Sequence, residues 1–425
     1  MPSSRFHLIN RDFTRLWTGQ AVSTVGDYVF DTTLTLWVAT EVARGKPWAP
    51  VAVSGVLLSV GAAVLLVGPL AGVFVDRWNR KRTMLRSELV RGGLVAALLL
   101  FSLAHGLPVG LRLAGIYLAV FALNAAGQFF APARFATVGA VVAGEADRAR
   151  AAGIGQATTG AASIIGPPLA APLLFTVGVQ WAMALNALSY LFSYLAIRSV
   201  RVPASEASAG AAPRVWRELG SGLRFYAGHR LLVVLLAVSV ITQIGMGAVN
   251  TLNVFFVTGQ LHATSGEYGF ISMAFGAGSI LGALLAGRAV GLVGARSAVW
   301  LGLVLTGVLV FGYSRQSSLL TGVLLLTLAA VPAAVLNTAV SPLILGSTPS
   351  EYLGRVIAVF NPASQLAGMV SVAAAGWLAA TGLAGFHGEL AGLHFGPVDT
   401  VFAVSGLLVV LAGCYAAVAL PRRSG

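Results

Sequence analysis

Two aspartates, Asp27 and Asp31, interrupt an apolar run near the start of the chain. Four residues apart, they share one face of a helix. If that run enters a membrane near Arg15, a rise of ~1.5 Å per residue sets them about 18 and 24 Å deep. Both then lie within a hydrocarbon core of ~30 Å, where a carboxylate costs about 2.5–3.5 kcal/mol on insertion scales. Two carboxylates so close resist ionising together. That suits a group that loads and releases protons or attracts a cationic substrate. Pairing with an arginine, or capping a kink at Gly26, is the structural alternative.

A second constellation, GVFVDRWNRKR from Gly72 to Arg82, sets Asp76 among Arg77, Arg80, Lys81 and Arg82 between two long apolar runs. The positive-inside rule explains the cations but not the lone acid. Asn124, Gln128, Gln156, Gln243, Asn250 and Asn361 punctuate other runs and are candidates to line a polar cavity, with Asn253, Asn337 and Gln365 as further amides. Amides facing lipid are disfavoured, and hydrogen bonds between helices are their ordinary use. No histidine falls near mid-depth. The single cysteine, Cys414, excludes an internal disulfide and a cysteine-based metal site. No metal-ligand set, Ser/His pair or GxxxxGK[ST] phosphate loop is present, so neither an enzyme nor a cofactor is expected.

These residues need positioning elements, and composition says which. Of 425 residues, 57% are hydrophobic and 10% charged, with a mean hydropathy of +0.85. Soluble domains carry about 25% charged residues. The chain reads as an all-α integral membrane protein with twelve spans: 14–42, 49–75, 84–105, 110–133, 151–176, 180–198, 231–259, 267–287, 297–314, 317–341, 355–382 and 398–420. The first run lacks a small-residue cleavage site and reads as an uncleaved span. With both termini cytoplasmic, only Arg44, Lys46, Arg112 and Arg315 of the 27 Lys and Arg residues fall in outer loops, and Arg91 falls inside a span. The net charge of +13 thus reports topology, not nucleic-acid binding.

An Ala/Ser/Gly/Pro/Arg-rich stretch separates six spans from six. The expected organisation is a six-helix half over 1–198, a cytoplasmic linker over 199–230 and a second half over 231–425. Trp216 to Tyr226 is expected to form a short surface helix. The halves echo each other: Ser23–Thr33 lies over Thr242–Leu252, matching Gly26 with Gly245. Gly61, Leu70, Ala71 and Gly72 match Gly276, Leu285, Ala286 and Gly287. Asp27 and Asp31 then correspond to Met246 and Asn250, so the fold does not require their acidity.

Over nearly its whole length the chain resembles the major facilitator superfamily. Gly72, Asp76, Arg77, Arg80 and Lys81 match that family's loop between the second and third spans; Asn79 departs from it. In the second half the loop is eroded to Gly291, Ala295 and Arg296. Gly160, Gly166 and Pro167 resemble the Gly-Pro signature of exporters in the fifth span, with Ala170-Ala171 in place of the closing glycines. Phe13–Asp27 and Phe129–Val138 are similar to macrolide-type and enterobactin-type exporters. The resemblance implies two six-helix pseudo-repeats around a central cavity and a loop in which Asp76 accepts contacts from neighbouring cations to gate the cycle. It implies proton-coupled export of amphipathic, drug- or siderophore-like molecules by a monomer in the bacterial inner membrane, with substrate, protons and lipid as partners. Import of a small solute, or a transport-inactive sensor or scaffold, is the alternative. The arginine that many drug antiporters carry in the fourth span has no clear counterpart: Asn124 or Gln128 occupies that neighbourhood and Arg112 lies at the outer edge, so the commonest drug-antiporter arrangement for proton coupling is not the one expected.

Overall fold

The computed structural model describes residues 8–75, 77–104, 106–202, 224–264, 267–386, 388–390 and 393–420. Twelve long helices run through them: α1 Arg11–Trp37, α2 Ala49–Val75, α3 Arg80–Ser102, α4 Val109–Val141, α5 Glu145–Pro172, α6 Val179–Ser199, α7 Arg230–Gly259, α8 Tyr268–Val293, α9 Ala295–Tyr313, α10 Leu319–Ser347, α11 Ser350–Trp377 and α12 Pro397–Ala419. The helices α1, α5 and α11 each end in a π-helical turn. A short antiparallel pair, β1 Gly388–Leu390 and β2 Leu393–Phe395, precedes α12. The expected surface helix over 216–226 lies outside the described residues except for its end, which joins a helical turn over 224–228.

Nine helices are long and apolar enough to cross a membrane among the described residues. The other three are α1, α3 and α6, long enough but more polar. Large side chains such as Leu100, Leu118, Leu284, Leu292 and Val418 are mostly uncovered. An apolar exterior of this extent suits lipid, not water.

The chain forms two compact units. One comprises Met1–Trp37 and Ala62–Ala212; the other comprises Val38–Gly61 and Pro213–Gly425. One of the boundaries between them falls within α2. In the first unit α1 packs on α5 and α6, and α3 on α4 and α6. In the second, α7 packs on α11 and α12, and α9 on α10 and α12. Each pairing recurs six helices later, which is the parallel repeat that the sequence echo implies.

The matched glycines make equivalent contacts. A Cβ at Gly26 would stand 2.6 Å from Ser189 Oγ of α6, and one at Gly245 would stand 2.8 Å from Val409 Cγ2 of α12. A close seam joins α8 to α10, where a Cβ at Gly278 would lie 2.2 Å from the Thr327 carbonyl oxygen. Backbone cannot swing aside as a side chain can. Gly278→Ala is therefore expected to force the helices apart at a cost of about 1–3 kcal/mol, seen as a lower midpoint in a thermal melt of the detergent-solubilised protein.

Candidate functional site

The first unit gathers Gln20, Asp27, Glu88, Arg91, Tyr190 and Ser193 on α1, α3 and α6, the three helices that fall short of the apolar mark for crossing a membrane. A Cβ at Gly19 would meet Ala196 Cβ at 2.8 Å, so Gly19 and Gly26, two turns apart, bring α1 close against α6. The residues that follow them, Gln20 and Asp27, reach partners on α6. Tyr190 donates a short hydrogen bond to Asp27 Oδ1. Arg91 of α3 donates from Nη2 to Asp27 Oδ2 at 3.0 Å, and its guanidinium lies 4.3 Å from the Tyr190 ring centre. A cation over an aromatic face gains further stabilisation. The Arg91 side chain is 15% exposed and that of Asp27 28%, so the pair is largely covered but the carboxylate is not sealed.

About a turn nearer the beginnings of α1 and α3 lies a second cluster. Ser193 Oγ donates to Glu88 Oε1 at 3.0 Å, and Gln20 Nε2 donates to Ser193 Oγ at 3.2 Å. Arg134 Nη1 approaches Gln20 Oε1 at 3.4 Å. Glu88 is 1% exposed. The sequence reading gave Glu88, Tyr190 and Arg134 no role and left Arg91 as a charge inside a span. It also ended the fourth span at 133, whereas α4 continues through Pro132 to Val141 and carries Arg134. The boundary moves from 133 to Val141, which puts Arg134 inside the helix alongside Arg112 near its start.

Asp31 is exposed, and its carboxylate makes no hydrogen bond among the described residues. Gly72 lies in the last turn of α2, so the connection to α3 is shorter than the charged motif suggested. Asp76 lies outside the described residues. Trp78 stacks against Phe129 of α4, with ring centres 5.8 Å apart, and also contacts Phe74. Asn79 is an N-cap, accepting from Arg82 N at 3.0 Å, a position that asparagine suits. Arg77 is exposed and Arg80 half-buried. Lys81 Nζ donates to the carbonyls of Arg198 and Val200 at 2.8 and 2.7 Å, a cation at the carbonyl end of α6, where the helix dipole favours it.

In α5, Gly166 faces α1: a Cβ there would lie 2.5 Å from Tyr28 Cβ. The helix runs on through Pro167, while the Gly160 carbonyl accepts from Ser163 Oγ at 2.8 Å. Asn124 donates to Val120 O of its own helix at 2.9 Å. Gln128 lies against Gly68 of α2. Gln156 and Asn250 are exposed.

The second unit contains a cavity of about 430 Å³ among α7, α10 and α11. Ser239, Thr242, Gln243, Asn337, Ser341 and Asn361 supply its polar groups, between walls that include Leu235, Leu336 and Phe360. Among the lining residues none is ionisable. Its volume falls within the range of small-molecule sites, which are mostly apolar with a few orienting polar groups.

Twelve long helices in two repeats, most of them apolar enough to cross a bilayer, define a multi-pass membrane protein. The chain belongs to the Major Facilitator Superfamily, whose sequence model matches residues 16–255 and 235–425. It is 22% identical over 276 residues to macrolide efflux protein A of Streptococcus pyogenes, covering 65% of this chain and 66% of that protein. It is 26% identical over 194 residues to the uncharacterized MFS-type transporter YkuC of Bacillus subtilis, covering 46% and 43%. The matches thus span under two thirds of either relative. Among solved structures, the nucleoside transporter NupG aligns with a TM-score of 0.73 at 12% identity, over 97% of this chain and 100% of that one. A bacterial homologue of the iron transporter ferroportin gives 0.73 at 15%, over 97% and 99%. At such identities these two likenesses speak for the fold alone.

Proposed function

We propose that the protein is a secondary exporter of amphipathic small molecules, drug- or siderophore-like, coupled to inward proton flow by alternating access. The observation that carries the reading is the Asp27–Arg91–Tyr190 cluster. An intramembrane ion pair is costly and marks ion or proton pathways, and the repeat puts Met246 where the first half has Asp27. Its partly uncovered carboxylate is a group that protons can reach. The uncharged, amide- and hydroxyl-bearing cavity of the second unit supports a substrate with an apolar body and hydrogen-bonding edges. Efflux as the direction is supported by the relatives named for macrolide efflux and by the Gly166-Pro167 motif. Asp31, exposed one turn beyond Asp27, serves as an attracting charge at the same site.

In this reading residues 1–198 and 231–425 are the moving halves, 199–230 the linker, and the segment from Gly72 through Asp76 to Lys81 the gate. Both termini face the cytoplasm of a bacterium, as the basic residues require, and the monomer is the working unit. Inside-out vesicles carrying the purified protein provide the test. A radiolabelled macrolide and ethidium are each offered with an imposed pH gradient, acid inside. At least one is expected to accumulate, and collapsing the gradient with an ionophore should abolish that accumulation. Accumulation of either probe that survives collapse would falsify proton coupling.

A further inference from the structure

Two complementary buried groups in the first unit lack partners. Glu88 Oε2 and Arg91 Nε are both fully covered and make no hydrogen bond. They sit on the same helix three residues apart, a spacing that lets side chains meet. An unsatisfied buried polar atom costs about 1–3 kcal/mol, and more when charged, so a pair of opposite character left unmade at this spacing needs a reason. One is at hand: Arg91 is engaged elsewhere, with Asp27 at 3.0 Å.

The two carboxylates lie at different depths. Seven residues separate Gln20, level with Glu88 through Ser193, from Asp27, about 10 Å along α1 at ~1.5 Å per residue. The ends of α1 and α3 nearer Glu88 are fixed together: Arg15 Nη1 donates to Ser199 O at 2.9 Å and Lys81 Nζ to Arg198 O at 2.8 Å. One guanidinium therefore stands between an outer carboxylate that it now holds and an inner one to which it makes no hydrogen bond.

We propose that Glu88 and Asp27 are two stations for one proton, with Arg91 serving as counter-ion to whichever carboxylate is ionised. With Arg91 on Asp27, the proton resides on Glu88. When a proton binds Asp27 from the aqueous space beside it, Arg91 turns to Glu88 and the Glu88 proton leaves toward the other end of the helices. Passage of the Asp27 proton to Glu88 then restores the first state with Arg91 back on Asp27, so each cycle takes one proton from the water beside Asp27 and gives one to the water at the other end. The cluster of Asp27, Glu88 and Arg91 returns to a net charge of zero, so no uncompensated charge crosses the covered region. The other titratable or charged groups around it are Tyr28 and Asp31 of α1, Tyr190 of α6 and Arg134 of α4. Arg134 is exposed and bonds Gln20, and Tyr190 is already committed to Asp27, which leaves Arg91 as the cation able to serve both.

The inference rests on the proton-coupled reading but is tested without transport. Infrared spectra of the purified wild-type protein, Glu88→Gln and Asp27→Asn are compared at neutral pH, and the protonated-carboxyl band is assigned by subtraction so that signals from Asp31 cancel. Glu88→Gln is expected to remove one buried carboxyl band from the wild-type spectrum. Asp27→Asn should remove the same band, because Arg91 then turns to Glu88 and ionises it. A Glu88 that is neutral for packing alone would keep its band in Asp27→Asn, and an ionised Glu88 would show none in the wild type; either result overturns the proposal. Retention of fold in each variant is read from monodisperse elution and an unchanged helical dichroism. Should vesicle transport ignore the pH gradient while the bands behave as expected, proton coupling fails and the exchange of Arg91 stands.

Discussion

Arg91→Leu is expected to cost the folded protein about 3–5 kcal/mol, the range measured when one partner of a buried ion pair is removed. The partial exposure of Asp27, 28% of its side chain, favours the lower end of that range. Two carboxylates would lose their shared cation, and leucine offers Tyr190 no positive charge over its ring. Replacing the pair together, as Asp27→Leu with Arg91→Leu, should recover most of the loss, because a hydrophobic pair of similar volume avoids burying charge altogether. Thermal melts of the wild type, the two single variants and the double variant form a cycle whose interaction energy isolates the pair. Additive losses would mean that Arg91 is held by its surroundings and not by Asp27. The double variant should fold and fail to pump, since its stability no longer depends on a group that can take a proton.

The fold was legible because a bilayer imposes length. Apolar runs of about 20 residues are needed to cross it, and the expected spans coincide with the twelve helices to within a few residues at most ends. The largest departure is α4, which runs past 133 to Val141 through Pro132; a proline inside a spanning helix is tolerated where neighbours re-satisfy the backbone. Asp27 announced itself as a lone acid in an apolar run. Its partners did not. Arg91 and Tyr190 lie 64 and 163 residues away, and no spacing rule reaches across three helices. A cue was present in MLRSELVRGG: Glu88 and Arg91, three apart, make α3 too polar to be explained by a packing role alone.

The fifth helix teaches a similar lesson about pairing. Aligned by the repeat, Gly166-Pro167 corresponds to Ser371-Val372, so the Gly-Pro pair occurs in one half alone, yet both halves carry a close approach at this point. In the first unit Gly166 of α5 admits Tyr28 of α1; in the second, a Cβ at Gly247 of α7 would lie 2.8 Å from Ser371 Cβ of α11. Tyr28 and Gly247 are aligned by the same offset as Gly26 and Gly245. The small residue has changed sides while the contact has stayed, and Ser371 adds a short hydrogen bond to Ile244 O. A contact belongs to two helices, so reading one strand of sequence shows only half of it.

Asp27→Asn should leave the protein folded and remove its ability to concentrate substrate. Asparagine keeps one acceptor, which can take the Tyr190 hydrogen bond, and Arg91 has Glu88 one turn away, so the loss of stability should stay near 1 kcal/mol, about the size of an ordinary hydrogen bond. The contrast with Arg91→Leu is itself diagnostic: the cation serves two acids, and each acid has only a share in it. Transport has no such reserve, because an amide cannot exchange a proton with water at either side. In wild-type vesicles with the membrane potential clamped at zero and an uncharged substrate, a cluster that carries one proton per cycle sets the scale. Each pH unit should support about tenfold accumulation, since a factor of ten corresponds to about 1.4 kcal/mol. In Asp27→Asn the accumulation ratio should fall to unity at every gradient, while exchange of labelled for unlabelled substrate continues. A variant that still concentrates substrate in proportion to the pH gradient would remove Asp27 from the coupling step and leave its contacts with Arg91 and Tyr190 as architecture.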